Sequence, residues 1–370
     1  MSALFSPFTL KSVTLRNRIA VPPMCQYSAN DGFTNEWHLS HYTGMARGGA
    51  GLVIVEATGV SPEGRISPNC TGLWDDAHIE GLQKIAEGIK AAGAVAGIQI
   101  AHAGRKASAN APWDGDEHIP NSDPRGWQTI APSAIAYGGN LSKVPEAMSV
   151  ADIHRVTADY VAAAKRALKA GFQWLELHFA HGYLAQSFFS PHSNHRTDEY
   201  GGSFENRGRF ILETLKAVRE VWPEDLPLTA RFGVIEYDGN DEETLKESIE
   251  LTRLMKDAGL DMLNVSVNFV ISDTQIPWGT PAFLAPIAER VSKEAGIPVA
   301  SSWGIDEPQL ANGVVENKQM DLVMIGRAFL ANPHYAYHMA QVLGEDNPEQ
   351  YLPMPYGHWL ARYRGPAKID

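Results

Sequence analysis

A rhythm constrains this chain more than any single residue does. Short apolar runs at 19–24, 52–58, 95–101, 174–178, 228–232, 262–267, 299–302 and 322–325 alternate with stretches of helical spacing at 37–47, 77–92, 151–170, 206–221, 242–258, 281–295, 307–315 and 333–343. The runs lack polar alternation, as expected of parallel strands covered on both faces. Eight strand–helix units favour a closed (β/α)8 TIM barrel over an open doubly wound sheet, which usually stops near about five or six strands. The length, 370 residues, suits such a barrel, which runs from about 200 to over 400 residues with insertions. An extended pair at 8–10 and 13–15 predicts a short N-terminal β-hairpin. Ser149 and Asp152 bracket a capping box ahead of the helix at 151–170. Gly171, Gly259 and Gly296 stand before strands, where helices end. The expectation is one domain over 1–370, with a C-terminal tail from about residue 344.

Two stretches break the rhythm: residues 103–149 after the third strand and 179–205 after the fourth. In a barrel both belong to the C-terminal face, where active sites sit. Long loops in compact domains are usually functional, although 110–128 reads equally well as a surface insertion.

Composition narrows the function. The net charge of −12, with no basic run, argues against a nucleic-acid or anionic-membrane partner. Two cysteines, Cys25 and Cys70, are too few for a disulfide framework, a four-Cys zinc site or an iron–sulfur cluster. The N-terminus lacks the pattern of a signal peptide and no apolar run is long enough to span a membrane, so a cytoplasmic protein is expected.

The strand ends carry unusual side chains. Pro22-Pro23-Met24-Cys25-Gln26-Tyr27 closes the first strand and Glu56-Ala57-Thr58 the second; Gln99 and His102 mark the third. His178-Phe179-Ala180-His181-Gly182-Tyr183 closes the fourth, Arg231 lies on the fifth, Ser302-Trp303-Gly304 ends the seventh and Gly326-Arg327 the eighth. His178 and His181 admit three readings: metal ligands, histidines satisfied by loop backbone, or paired donors polarising one small anion or carbonyl oxygen. A metal set lacks a matching carboxylate or thiolate at a strand end, Glu56 excepted. Tyr183 would then supply a proton as general acid. A guanidinium inside a strand needs a partner, so Arg231 is either ion-paired or set beside a cofactor that becomes anionic. Gly326-Arg327 with Trp303-Gly304 fits the phosphate site that barrels build from their last two loops. Cys25 reads better as a small residue touching a cofactor than as a nucleophile, and Cys70 has only a structural reading.

Taken in order, 15–19, 22–27, 99–105, 177–184, 196–207 and 325–328 make the chain resemble the Old Yellow Enzyme family of FMN ene-reductases, nearest the subclass with Cys beside the flavin. The resemblance implies FMN as bound cofactor and NADPH or NADH as hydride donor. It implies that Pro22, Pro23, Met24, Cys25 and Ala57 line the flavin, that Gln99 bonds its pyrimidine edge and that Arg231 meets its reduced charge. Ser302, Trp303, Gly304, Gly326 and Arg327 would hold the phosphate end. His178 and His181 would bind the oxygen of an enone, unsaturated aldehyde, imide or nitro compound, with Tyr183 as proton donor and Tyr27 and Trp303 as substrate contacts. In the Cys subclass the tail reaches a neighbouring subunit's pocket; Trp359 is the candidate here, with Arg362 and Tyr356 weaker, in a homodimer or homotetramer. Many members carry His and then Asn where this chain has two histidines, which bears on substrate preference. A metal-dependent barrel lyase or hydrolase, and a dienoyl-CoA reductase or dihydrouridine synthase on the same scaffold, are the alternatives; two cysteines and an acidic surface speak against the last two.

Overall fold

Parallel strands that must bury both faces close on themselves if helices can cover the outside. The computed structural model, which describes residues 2–363, shows that solution. β1 (Phe8–Leu10) and β2 (Val13–Leu15) form the antiparallel hairpin, with Phe8 opposite Leu15. The barrel strands are β3 (Ile19–Val21), β4 (Leu52–Gly59), β5 (Val95–Ala101), β8 (Trp174–Phe179), β9 (Leu228–Ile235), β10 (Met262–Val267), β11 (Val299–Ser301) and β12 (Leu322–Met324). They run parallel in that order and β12 closes on β3. Between β5 and β8, β6 (Ile130–Ala131) and β7 (Glu146–Ala147) pair as a small separate sheet.

The covering helices are α1 (Glu36–Arg47), α2 (Ile79–Ala91), α3 (Val150–Lys169), α5 (Phe204–Arg219), α6 (Asp241–Asp257), α7 (Ala285–Ala295), α8 (Pro308–Glu316) and α10 (Tyr335–Val342). Short helices α4 (Leu184–Phe189), α9 (Arg327–Ala331) and α11 (Met354–Leu360) were not anticipated from the sequence. Local chemistry sets several limits. Ser149 and Asp152 form the expected capping box of α3, and Ser203 caps α5, devices that contribute about 0.5–2 kcal/mol each. Gly171, Gly259 and Gly296 have φ of 86°, 102° and 64°, the left-handed turn that lets the chain leave a helix.

The structure corrects some boundaries. The first strand stops at Val21 rather than 24, because Pro22 and Pro23 carry no N–H to extend the ladder. The helix expected from 281 begins at Ala285, after turns that reverse the chain. β9 runs on to Ile235, three residues beyond the expected end.

The barrel interior is graded. Leu52, Trp174, Met262 and Leu322, each the first residue of its strand, join Phe8, Val13 and Leu15 of the hairpin in one apolar cluster. Two residues along, polarity enters on two of these strands: Glu176 follows Trp174 on β8 and Asn264 follows Met262 on β10, both on the same strand face because the side-chain period is two, while Ile54 and Met324 stay apolar. Two residues further come His178 and Ser266.

Candidate active site

The middle layer is a buried polar network. Glu176, fully buried, accepts from Gln99 Nε2 at 2.8 Å and from Asn264 Nδ2 at 3.0 Å. Gln99 and Glu176 face each other across β5 and β8, and Arg231 on β9 lies opposite both His178 and Asn264. Burial raises the Glu176 carboxyl above its usual range while Arg231 pulls it back. Burial likewise lowers the Arg231 guanidinium, which Glu176 opposes. Glu176, whose charge acts on Arg231 although no ion pair joins the two, is a residue the sequence reading passed over. Its one signal is an acid inside the apolar run Trp174-Leu-Glu-Leu-His178. Gln99 is thus engaged with Glu176.

Above this layer three aromatic side chains converge. The His178 ring lies 5.0 Å from His181 and 4.9 Å from Tyr183, each near perpendicular, and His181 lies 6.3 Å from Tyr183. The Ala180 amide donates to His178 Nδ1 at 3.3 Å, which places the ring proton on Nε2. His181, held at φ 63°, sets its Nε2 2.8 Å from Ser266 Oγ. Burial, and after it the positive Arg231, holds both imidazoles well below their ordinary pKa, so both are neutral near pH 7. The Tyr183 phenol is raised by burial and then by Cys25, and keeps its proton.

Two cavities open near this end of the barrel, the second lined in part by Tyr183. One of about 210 Å³ is lined by Pro22, Pro23, Met24, Arg231, Ser302, Trp303, Gly304, Gly326 and Arg327, nine of the twelve residues expected to hold the cofactor. Cys25, Ala57 and Gln99 do not line it. The residues fit an anionic group. Arg231 donates to Ser302 Oγ at 3.2 Å, yet its buried Nε has no partner. A Cβ at Gly326 would come within 3.2 Å of Met24 Sδ, so a side chain there would crowd the cradle. Trp303, at φ 78°, walls the cavity and packs 5.3 Å from Trp278 and 6.1 Å from Phe269.

The second cavity, about 400 Å³, is lined by Tyr27, Tyr183, Tyr137 and Lys106 among others. Lys106 was not foreseen. Its amine donates to the carbonyls of His181 at 2.8 Å and Phe269 at 2.7 Å and lies 3.9 Å from the Tyr137 ring centre. Burial, then Arg105, pushes it down to about 7. Tyr27, at φ 48°, stands edge-on to Trp113 at 5.5 Å. The insertion at 103–149 thus supplies one wall of this cavity.

Cys25 and Cys70 are unbridged thiols close enough to shift one another's titration. Contact with Cys70 and burial raise the Cys25 thiol, which disfavours a nucleophilic role. Cys70 accepts from the Ser67 amide at 3.4 Å. Trp359, Tyr356 and Arg362 line neither cavity; Trp359 is 71% exposed and Tyr356 43%. No helix among the described residues is long and apolar enough to cross a membrane.

Comparison with known proteins agrees with this geometry. Residues 3–346 match the model of the NADH:flavin oxidoreductase / NADH oxidase family. An NADPH dehydrogenase of Geobacillus thermodenitrificans is 42% identical over 354 residues, covering 95% of this chain and 98% of that protein. An NADPH dehydrogenase of Clostridium acetobutylicum is 38% identical, covering 94% and 98%. Among solved structures, morphinone reductase in complex with tetrahydroNAD superposes with a TM-score of 0.77 at 28% identity, covering 95% of this chain and 94% of that one. The old yellow enzyme homologue from Zymomonas mobilis gives 0.76 at 26% identity, covering 96% and 98%.

Proposed function

We propose, from the premise that this chain belongs to the NADH:flavin oxidoreductase / NADH oxidase family and is an FMN-dependent NAD(P)H oxidoreductase of the Old Yellow Enzyme type, that it reduces the C=C bond of small α,β-unsaturated carbonyl, imide or nitro compounds. FMN, when bound, takes reducing equivalents from NADPH or NADH and supplies the hydride that reaches substrate Cβ. The observation that carries the reading is the convergence of two neutral imidazoles and a protonated phenol near a cavity fitted to an anion.

The chain's own residues do the rest. His178 donates through Nε2–H to the substrate oxygen. His181 Nε2 is bonded to the Ser266 hydroxyl, and in the tautomer where that hydroxyl donates, the His181 proton sits on Nδ1 as a second donor to the same oxygen. Neutral donors polarise that oxygen without protonating it, so negative charge develops where they point. Tyr183 then delivers its proton to Cα; a phenol raised by burial gives it up only once that carbon has become strongly basic. Arg231, whose buried Nε lacks a partner, would meet the negative charge that the cofactor carries when reduced. Ser302, Gly304, Gly326 and Arg327 would hold the phosphate, and Pro22, Pro23, Met24, Cys25 and Ala57 the ring. Gln99, held by its bond to Glu176, would bond the pyrimidine edge with the amide groups left free. Tyr27 and Trp303 shape the substrate space.

The exposed apolar side chains of the tail, Met354, Tyr356, Trp359 and Tyr363, support a subunit contact in a homodimer or homotetramer. There Trp359 or Arg362 enters the neighbour's pocket. Barrel and tail act as one domain, and we place it in the cytoplasm. The test is a His178→Ala, His181→Ala double variant. Enone turnover is expected to fall by about 10²–10³ or more while the visible flavin absorbance per chain stays unchanged. Undiminished turnover at full flavin content would refute the assignment.

A further inference from the structure

The segment after β10, residues 268–271, has no regular secondary structure, so its peptide groups need partners from elsewhere. The carbonyls of Phe269, Val270 and Ile271 accept in turn from Lys106 Nζ at 2.7 Å, Arg105 Nη2 at 2.6 Å and the Tyr137 hydroxyl at 3.2 Å. The Val270 and Ile271 amides donate to one oxygen of Glu236, Oε1, at 2.9 and 3.1 Å. Side chains from the loop after β5, from the insertion and from the end of β9 therefore fix the path of this segment. Arg105 also donates to the Ile135 and Ala136 carbonyls at 3.2 and 3.3 Å, which ties the insertion to the same point.

Lys106 alone among these partners also holds a residue assigned to the chemistry. Its other hydrogen bond goes to the His181 carbonyl at 2.8 Å, and its charge faces the Tyr137 ring at 3.9 Å. The two loops can close on one amine because residue 182 is glycine. A Cβ there would stand 2.2 Å from the Phe269 carbonyl oxygen and 3.0 Å from Lys106 Nζ. His181 needs such support. Its φ of 63° is one that a histidine adopts at a cost and keeps only where its surroundings over-determine it. Three contacts do so: Ser266 on Nε2 at 2.8 Å, the Phe269 ring at 5.6 Å and Lys106 on the carbonyl. Lys106 governs two of the three, because it holds Phe269 as well.

We infer that Lys106 is a positioning residue for the reduction: by drawing the His181 and Phe269 carbonyls onto one amine, it sets the direction in which the His181 imidazole meets the substrate oxygen. This role rests on His181 being a donor to that oxygen, as proposed above. Without the amine both carbonyls lose a donor and residue 181 is free to relax toward ordinary backbone. A donor misplaced by about 1 Å can cost about 10²-fold in rate.

A double-mutant cycle tests the coupling, read as the limiting rate at which cyclohex-2-enone reoxidises the reduced, FMN-loaded protein in anaerobic stopped flow. Lys106→Met keeps the length of the stem and removes the N–H groups. It is expected to lower that rate by about tenfold or more and to change enone affinity less, with flavin absorbance per chain reporting that the variant is folded. In a His181→Ala background, itself slow, the same change is expected to cost less than about threefold, since nothing is left to position. Gly182→Ala, which wedges the Phe269 carbonyl away from the amine, is expected to give the same pattern and serves in place of Lys106→Met if that variant does not hold flavin. If the losses multiply in full, the amine acts on its own account and the proposal falls while the His181 assignment stands. A parent-like rate in Lys106→Met also overturns this proposal alone. A parent-like rate in His181→Ala overturns both.

Discussion

The same strands build both ends of this barrel, and the two ends obey different rules. At the N-terminal end Leu52, Trp174, Met262 and Leu322 meet Phe8, Val13 and Leu15, all at most 8% exposed and all apolar. At the C-terminal end the same strands and their loops present Arg231, His178, His181, Tyr183 and Trp303, with left-handed backbone at Tyr27, His181, Phe269 and Trp303. Buried polar atoms of Arg231, Asn264 and Trp303 lack partners there. One end optimises packing; the other holds polar groups and strained backbone that only the surrounding fold keeps in place. Five residues of β8, from Trp174 to His178, cross from one regime to the other.

If that division holds, each end can be damaged without the other. The largest effect is expected from Tyr183→Phe: enone reduction falls by about 10²–10⁴, while flavin reduction by NADPH and the melting temperature stay close to those of the parent. Stopped-flow kinetics of the two half-reactions separate these; equal loss in both would break the division. Leu15→Ala is the mirror experiment. It empties a fully buried position in the hairpin and should lower stability by about 2–5 kcal/mol in denaturant unfolding, with turnover per folded molecule unchanged.

A smaller effect sharpens the comparison. Glu56, on β4 beneath the loop carrying Cys25 and Tyr27, accepts from the Tyr42 phenol at 2.8 Å and the Gln26 amide at 2.9 Å. Burial raises its carboxyl from 4.5 to about 8. A folded pKa above the unfolded one means that its contribution to stability is fully present below about 4.5 and lost as pH climbs to about 8. Glu56→Gln should flatten that part of the stability–pH curve, by on the order of 1 kcal/mol, as read from melting temperatures across the range. The imidazoles should add no step to the pH profile of turnover near their ordinary pKa of 6.5, since both are held well below it.

The sequence made the barrel legible because its signals are local and repeated: apolar runs, the Ser149 capping box, glycines at helix ends. The rim side chains were legible because polar residues at the ends of apolar strands have no packing excuse. What escaped depends on neighbours far along the chain. Glu176 hides inside an apolar run, and its role exists only through Gln99 and Asn264, 77 and 88 residues away. Lys106 looks like any loop lysine until Phe269, 163 residues on, offers its carbonyl. The helices α4 and α9 are too short for periodicity to register. Cys70 gains interest only because the fold brings it to Cys25.

The paired indoles at the cavity edge have an optical consequence. Trp303 and Trp278 lie 5.3 Å apart beside the space fitted to a flavin, and Trp303 is itself part of its wall. A bound isoalloxazine absorbs where tryptophan emits, so loading should dim the native fluorescence of this pair first. Cofactor uptake could thus be followed in an unlabelled protein from its own light.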